Sequence, residues 1–309
     1  MAQAVFTAGK TREWSAPRWR PRQATLLAFA LLAPSLLFLA LFTYWPVLQV
    51  LWQSVHGQLR VGGPQAYVGP LNFIKLFADP AFRKALGNNL IYALGTVIPS
   101  LVLALGFAMA LVRSSRVNAL FRALFFLPVL IPLVAAASIF LFLFLPNVGL
   151  LDYHLAKLAI SGTNWLGDPD IALWSIMALT IWKNAGYYML FFLAGLQAVP
   201  ADAYEAAILD GAGPWRRFWS IQFPLLSPTT FFLLVINVVY AFFDTFAIVD
   251  TATQGGPGRS TSILVYKVYY DGFKAMDLGG SAAQSVVLML IVVALTVVQF
   301  RYVEKKVNY

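Results

Sequence analysis

Six long apolar stretches alternate with polar segments along the chain, at about residues 25–45, 88–112, 123–145, 171–198, 225–249 and 282–300. A helix rises 1.5 Å per residue, so each is long enough for a hydrocarbon core of about 30 Å. The pattern predicts an all-α, polytopic membrane protein with six transmembrane helices. Residues 1–22 form a basic tail ahead of a single six-span domain, 23–309, with no internal repeat. The uncharged run from Gln23 to Leu59 is far longer than the apolar core of a cleavable leader, so the first span is expected to stay. Tyr44, Trp45 and Pro46 are expected at its far interface. Pro128 and Pro132 predict a bend in the third span, since a proline frees the carbonyl four residues before it.

The polar segments carry patterns of their own. In residues 60–84, Phe73, Leu76 and Phe77 have helical spacing, which predicts a short helix lying along the outer surface. Residues 199–224 demand more structure. Pro200 suits the first position of a short helix, Asp202 and Glu205 suit its positive early turns, and Gly211 suits its end. Gly213 and Pro214 then open a second short helix that Pro224 is expected to stop. Trp215, Phe218 and Trp219 fall on one face of it. Glu205 should point outward while Tyr204 and Ile208 pack inward. Two short helices meeting at a glycine elbow are thus expected between spans four and five.

Composition narrows the class. The chain has 309 residues, 60% of them hydrophobic and 11% charged, whereas soluble domains carry roughly 25% charged residues. It has no cysteine, which excludes disulfides, thiolate metal sites and a cysteine nucleophile. His56 and His154 are too few and too far apart to suggest a metal cluster. No GxxxxGK[ST] loop, GxSxG elbow, HExxH helix or central carboxylate pair is present, so no catalytic or metal site is expected and no phosphate-cradling loop of that type binds ATP. The net charge of +9 brings no basic, aromatic-interleaved patch of the kind that binds nucleic acid.

The charge does orient the chain. Lys10, Arg12, Arg18, Arg20, Arg22, Arg113, Arg116, Arg122, Arg216, Arg217, Arg301, Lys305 and Lys306 fall on one side of the alternating spans. Arg60, Lys75, Arg83, Lys84, Lys157, Arg259, Lys267 and Lys274 fall on the other. Thirteen against eight predicts that both termini and the 199–224 elbow are cytoplasmic.

The elbow resembles the coupling loop of binding-protein-dependent ABC importer permeases. Their pattern is Glu-Ala-Ala, three residues, Gly, nine residues, Ile-x-Leu-Pro, matched here by Glu205, Ala206, Ala207, Gly211, Ile221 and Pro224, with Phe223 in place of Leu. Asp210 lies within the same stretch. Asn72, Phe73, Leu76, Phe77, Asp79, Pro80 and Phe82 resemble the segment before the second span of the sugar-type branch, and Gly255-Gly256-Pro257 and Thr261–Tyr266 are similar to the carbohydrate-uptake family. FFDTF, SAAQSVVLM and QFRYVE are closest to its glycerol-phosphate branch. The resemblance implies half of a pathway in a bacterial inner membrane, for sn-glycerol-3-phosphate or a related sugar or glycerophosphodiester. It also implies a second homologous permease, two copies of an ABC ATPase that bind ATP and Mg, and an extracytoplasmic solute-binding protein.

Charges inside apolar spans are costly and mark candidate path residues. Lys183 lies 12 residues into span four, about 18 Å along it. It is either a buried cation satisfied by carbonyls or snorkelling, or part of the translocation path; lysine after tryptophan is frequent at this place in the resembling family. Asp244 lies near the outer end of span five, too far in depth for a direct ion pair with Lys183, and is either an interfacial hydrogen-bond acceptor or a path residue. Asn184, Tyr187, Asn237 and Gln284 are further candidates of that kind. An ion-coupled secondary transporter is the rival reading, but it would be expected to place acidic residues or broken helices near the midplane, often with inverted repeats, whereas the central charge here is a lysine and no repeat is seen. An intramembrane enzyme would need a catalytic cluster that the sequence lacks.

Overall fold

The computed structural model describes residues 21–58, 65–160 and 162–303; the basic tail before residue 21 lies outside them. The chain divides into two compact units, residues 1–49 and 50–309. In the first, α1 (Pro21–Leu39) runs into a π-helical turn, Ala40–Tyr44, and on into α2 (Trp45–Ser54). The helix therefore does not end at Tyr44-Trp45-Pro46. The Trp45 amide donates to the Ala40 carbonyl five residues back, and this wider turn accommodates the ring and missing N–H of Pro46.

The second unit begins with a short antiparallel hairpin, β1 (His56–Gln58) with β2 (Gln65–Tyr67), which the apolar pattern does not mark. The surface helix follows as α3 (Leu71–Ala78), burying Leu76 in the core and leaving Phe77 exposed. Asn72 fixes it by donating to the carbonyls of Ser54 and His56, both at 2.9 Å. α4 (Pro80–Leu111) starts eight residues before the expected span because Asp79 caps it, accepting from the Ala81 amide at 2.8 Å, with Pro80 at the first position.

α5 (Arg116–Leu130) and α6 (Leu133–Leu143) form the third apolar stretch, bent by 101° at Ile131-Pro132 as the prolines predict. α7 (Leu150–Lys157) precedes α8 (Ala172–Gln197). α8 packs along α4, whose small buried residues, Ala85, Ala104, Ala108 and Ser100, let the two backbones approach. Tyr92 and Thr180 share a hydrogen bond of 2.6 Å across that contact.

The elbow comprises α9 (Ala201–Leu209) and α10 (Pro214–Arg217), followed by a π turn at Phe218–Gln222, α11 (Phe223–Leu225) and α12 (Ser227–Phe243). Pro200 stands just before α9 rather than at its first position. Pro224 does not stop the second helix. The π turn, in which the Phe223 amide donates to Phe218, absorbs the proline, and the chain bends by 66° at Leu226 instead. α13 (Phe246–Ala252), α14 (Leu264–Tyr269), a π turn at Tyr270–Lys274, α15 (Leu278–Val298) and a last π turn at Gln299–Val303 complete the described chain. The connection from α13 to α14 is pinned to α4: Asn88 donates to the carbonyls of Arg259 and Ser262, and Asn89 accepts from the Leu264 amide.

By length and apolarity three helices among the described residues can cross a membrane, or five if each bent pair is one span. α8 is not among them, although its 26 residues reach about 39 Å. Lys183, Asn184 and two tyrosines dilute its apolarity, which is tolerable because the helix buries most of its residues in protein.

Candidate functional site

The bend at Ile131-Pro132 makes the central feature. Pro132 has no N–H, and the break leaves carbonyls at the end of α5 without helical partners. Lys183 fills the gap: its Nζ donates to the carbonyls of Pro128 at 3.2 Å, Val129 at 3.3 Å and Ile131 at 2.5 Å. Lys183 as a residue is only 6% exposed, and its ammonium sits at the negative end of the α5 dipole. These bonds have the form of the carbonyl-satisfied reading of Lys183, while the same residue also lines the cleft beside them. Three residues along α8, Gly186 lets this contact form, since a Cβ there would lie 1.7 Å from the Phe125 carbonyl oxygen.

Beside this junction opens a cleft of about 440 Å³ lined by Lys183, Asn184, Tyr187 and Asp244, with Tyr240 and Pro132. A smaller space of about 20 Å³, enough for one water, adjoins Lys183, Asn184, Asn237 and Asp244. Five of the six expected path residues are thus brought together, and Lys183 and Asp244 share walls without forming an ion pair. Sequence reasoning missed Tyr240, which lies four residues before Asp244 and so on the same face.

Gln284 is the exception. It faces away from the cleft and donates to the Asp271 carboxylate. Asp271 also receives Lys267 at 2.6 Å, and Lys267 reaches Asp79 at 3.0 Å. The result is a clasp joining the α3–α4 corner, α14 and α15. Burial works to lower the Lys267 pKa, but the Asp271 and Asp79 carboxylates outweigh it and hold the pKa above the usual lysine range. Burial likewise works to raise Asp79, yet the Lys267 hydrogen bond and the Ala81 amide bring it below the usual carboxylate range. Asp79 and Lys267 were legible only as a helix cap and an outer-loop charge.

The elbow takes the expected turn by local chemistry. Gly211 has φ of +74°, its amide donates to the Ile208 carbonyl at 3.0 Å, and the Ala212 amide donates to Ala207 at 2.9 Å. This pair of bonds closes a helix through a left-handed residue. No atom lies within 4 Å of a Cβ built at Gly211, so conformation, not space, calls for glycine. Glu205, Ala206 and Asp210 are exposed, Ala207, Ile221 and Pro224 are partly buried, and Trp215, Phe218, Trp219 and Phe223 form one aromatic cluster. Ile208 is 48% exposed rather than packed inward, because α9 packs little against the other helices. With Leu209 and Trp215 it gives the elbow an apolar outer surface. Among the described residues no group of histidines and carboxylates could hold a metal.

Residues 89–309 match the family model described as binding-protein-dependent transport system inner membrane component. The chain belongs to that family. Curated relatives of the chain are named sn-glycerol-3-phosphate transport system permease protein UgpA. The one from Agrobacterium fabrum (strain C58) is 44% identical over 92% of this chain and 97% of its own. Those from Yersinia pestis bv. Antiqua and Escherichia coli (strain UTI89) are 43% and 41% identical, over 92% and 94% of this chain and 96% of their own. A solved bacterial ABC transporter involved in import of the acidic polysaccharide alginate shares the fold, with a TM-score of 0.81 at 19% identity over 91% of this chain and 96% of its own. A bacterial alginate ABC transporter solved in complex with an alginate pentasaccharide-bound periplasmic protein also has a TM-score of 0.81, with 19% identity over 91% of this chain and 95% of its own. Membership makes this chain an inner-membrane transport component rather than an enzyme.

Proposed function

We propose that the chain is one of two permease subunits of an ATP-driven importer of sn-glycerol-3-phosphate or a related glycerophosphodiester. The observation that carries this reading is the end-to-end similarity to permeases named for that substrate, 44% over 92% of the chain. The cleft around Lys183 and Asp244 then forms this subunit's wall of the path, and the elbow of Glu205–Pro224 docks an ATPase. Six spans follow if the α1–α2 helix, α4, the bent α5–α6 pair, α8, the α10–α12 pair and α15 each cross once. The thirteen-to-eight charge count supports cytoplasmic termini and a cytoplasmic elbow. A second permease completes the path, two ATPase subunits carry ATP and Mg, and a binding protein delivers substrate from outside. ATP-driven movement of the docked elbows would exchange two access states.

The test is uptake by the complete complex in liposomes, comparing sn-glycerol-3-phosphate, glycerophosphodiesters and maltose. ATP-dependent, binding-protein-dependent uptake of the glycerol phosphates is expected. Uptake that needs an ion gradient and no ATPase would establish the secondary transporter instead, and uptake of maltose alone would overturn the substrate.

A further inference from the structure

The cleft beside Lys183 contains two full charges of opposite sign, and they are not equally available. An ammonium has three N–H groups, and those of Lys183 are met by the three carbonyls at the end of α5. Its positive charge is buried and opposed by the α5 dipole. Asp244 is exposed to the cleft, and among the described residues no hydrogen bond or ion pair engages its carboxylate. Around it stand Tyr187, Tyr240 and Asn184, and the buried Nδ2 of Asn237 has no partner. A wall whose free polar group is a carboxylate accepts hydroxyl protons well and offers phosphate no free ammonium N–H.

We propose that Asp244 is a specificity-determining residue: its carboxylate receives the hydroxyl groups of the polyol and turns the phosphate away from this subunit. The inference rests on the glycerol-phosphate reading above and adds the orientation of the substrate in the path. A substrate carrying anions at both ends would be rejected, because one of them would have to face Asp244.

The absence of native cysteine supplies the measurement. Leu133 lines both the cleft and the smaller space, so maleimide labelling of Leu133→Cys in the full complex, in liposomes, reports occupancy. Protection is titrated with sn-glycerol-3-phosphate, with glycerol and with ethyl phosphate, which has no hydroxyl chain. Asp244→Asn should weaken protection by the first two about tenfold, the value of a charge-assisted hydrogen bond, and strengthen protection by ethyl phosphate. Asp244→Glu keeps the charge and should recover part of the polyol protection. Equal weakening for all three compounds would reduce Asp244 to a structural role, and no change would remove it from the site. If glycerol protection follows Asp244 while the wild-type complex does not take up sn-glycerol-3-phosphate, the hydroxyl contact stands and the substrate assignment falls.

Discussion

Gly186 on α8 lies against the Phe125 carbonyl on α5 so closely that a Cβ would sit 1.7 Å from its oxygen. The neighbour is backbone, which cannot rotate aside, so a methyl group must push the helices apart. Gly186→Ala is expected to destabilise the subunit by ~1–3 kcal/mol or more and to lower its melting temperature in detergent. The bonds from Lys183 to the α5 terminus should lengthen with it, so uptake should fall as well. An unchanged melting temperature would show that α5 and α8 pack less closely than this geometry requires.

Lys183→Met removes the donor that serves Val129 and Ile131, whose part-buried carbonyls would lose this partner, at up to ~1–3 kcal/mol each. The expected loss therefore falls on folding and assembly together with transport. Lys183→Arg should rescue only in part, because a planar fork cannot reach three carbonyls grouped around a compact ammonium. Uptake per assembled complex, alongside the yield of complex, separates the two effects.

At the elbow, Gly211→Val places a β-branched residue at φ of +74°, a conformation that costs a side chain ~1–2 kcal/mol or more. The helices of the membrane domain are remote from this turn and should stay folded. Co-purification of the ATPase, or stimulation of its hydrolysis by the loaded binding protein, should be lost. Glu205→Ala should have a milder effect, since an exposed charge contact is worth less than the shape of the turn. Wild-type values of both in Gly211→Val would make the elbow a plain connector.

The clasp of Asp79, Lys267 and Asp271 predicts a pH profile. Asp79 is depressed, so its contribution is present above the unfolded carboxylate value and is lost as pH falls through the folded one. Lys267 is raised, so its contribution is present below the unfolded lysine value and is lost as pH rises through the folded one. Thermal stability owed to the clasp should be flat between about pH 4 and about pH 10. Lys267→Met should lower the melting temperature across that plateau, leaving two neighbouring carboxylates unopposed. A wild-type melting temperature in that variant would mean that the clasp contributes nothing.

Orientation is directly testable in a chain without cysteine. Gly258→Cys, in the exposed connection before α14, should react with impermeant maleimide added to intact cells. Ser115→Cys, at the start of α5 beside Arg113 and Arg116, should not. Labelling of Ser115→Cys from outside would invert the topology.

What the sequence determined by itself is what depends on near neighbours. Apolar length defined the long helices, Pro128 and Pro132 marked the 101° bend, and the turn at Gly211 is closed by bonds between residues 207 and 212. Tertiary structure decided whatever depends on the rotation of one helix against another. Lys183 finds its carbonyls 52 to 55 residues away, and backbone oxygens leave no mark in a side-chain pattern. Gln284, polar and within a span like Asn184, turns instead to Asp271, because packing sets which face α15 presents. Pro224 reads as a stop yet sits inside helical turns, since the π turn ahead of it removes the need for the missing N–H and the bend falls at Leu226 instead. A linear pattern specifies which groups must find partners; the packed helices determine which partners are within reach.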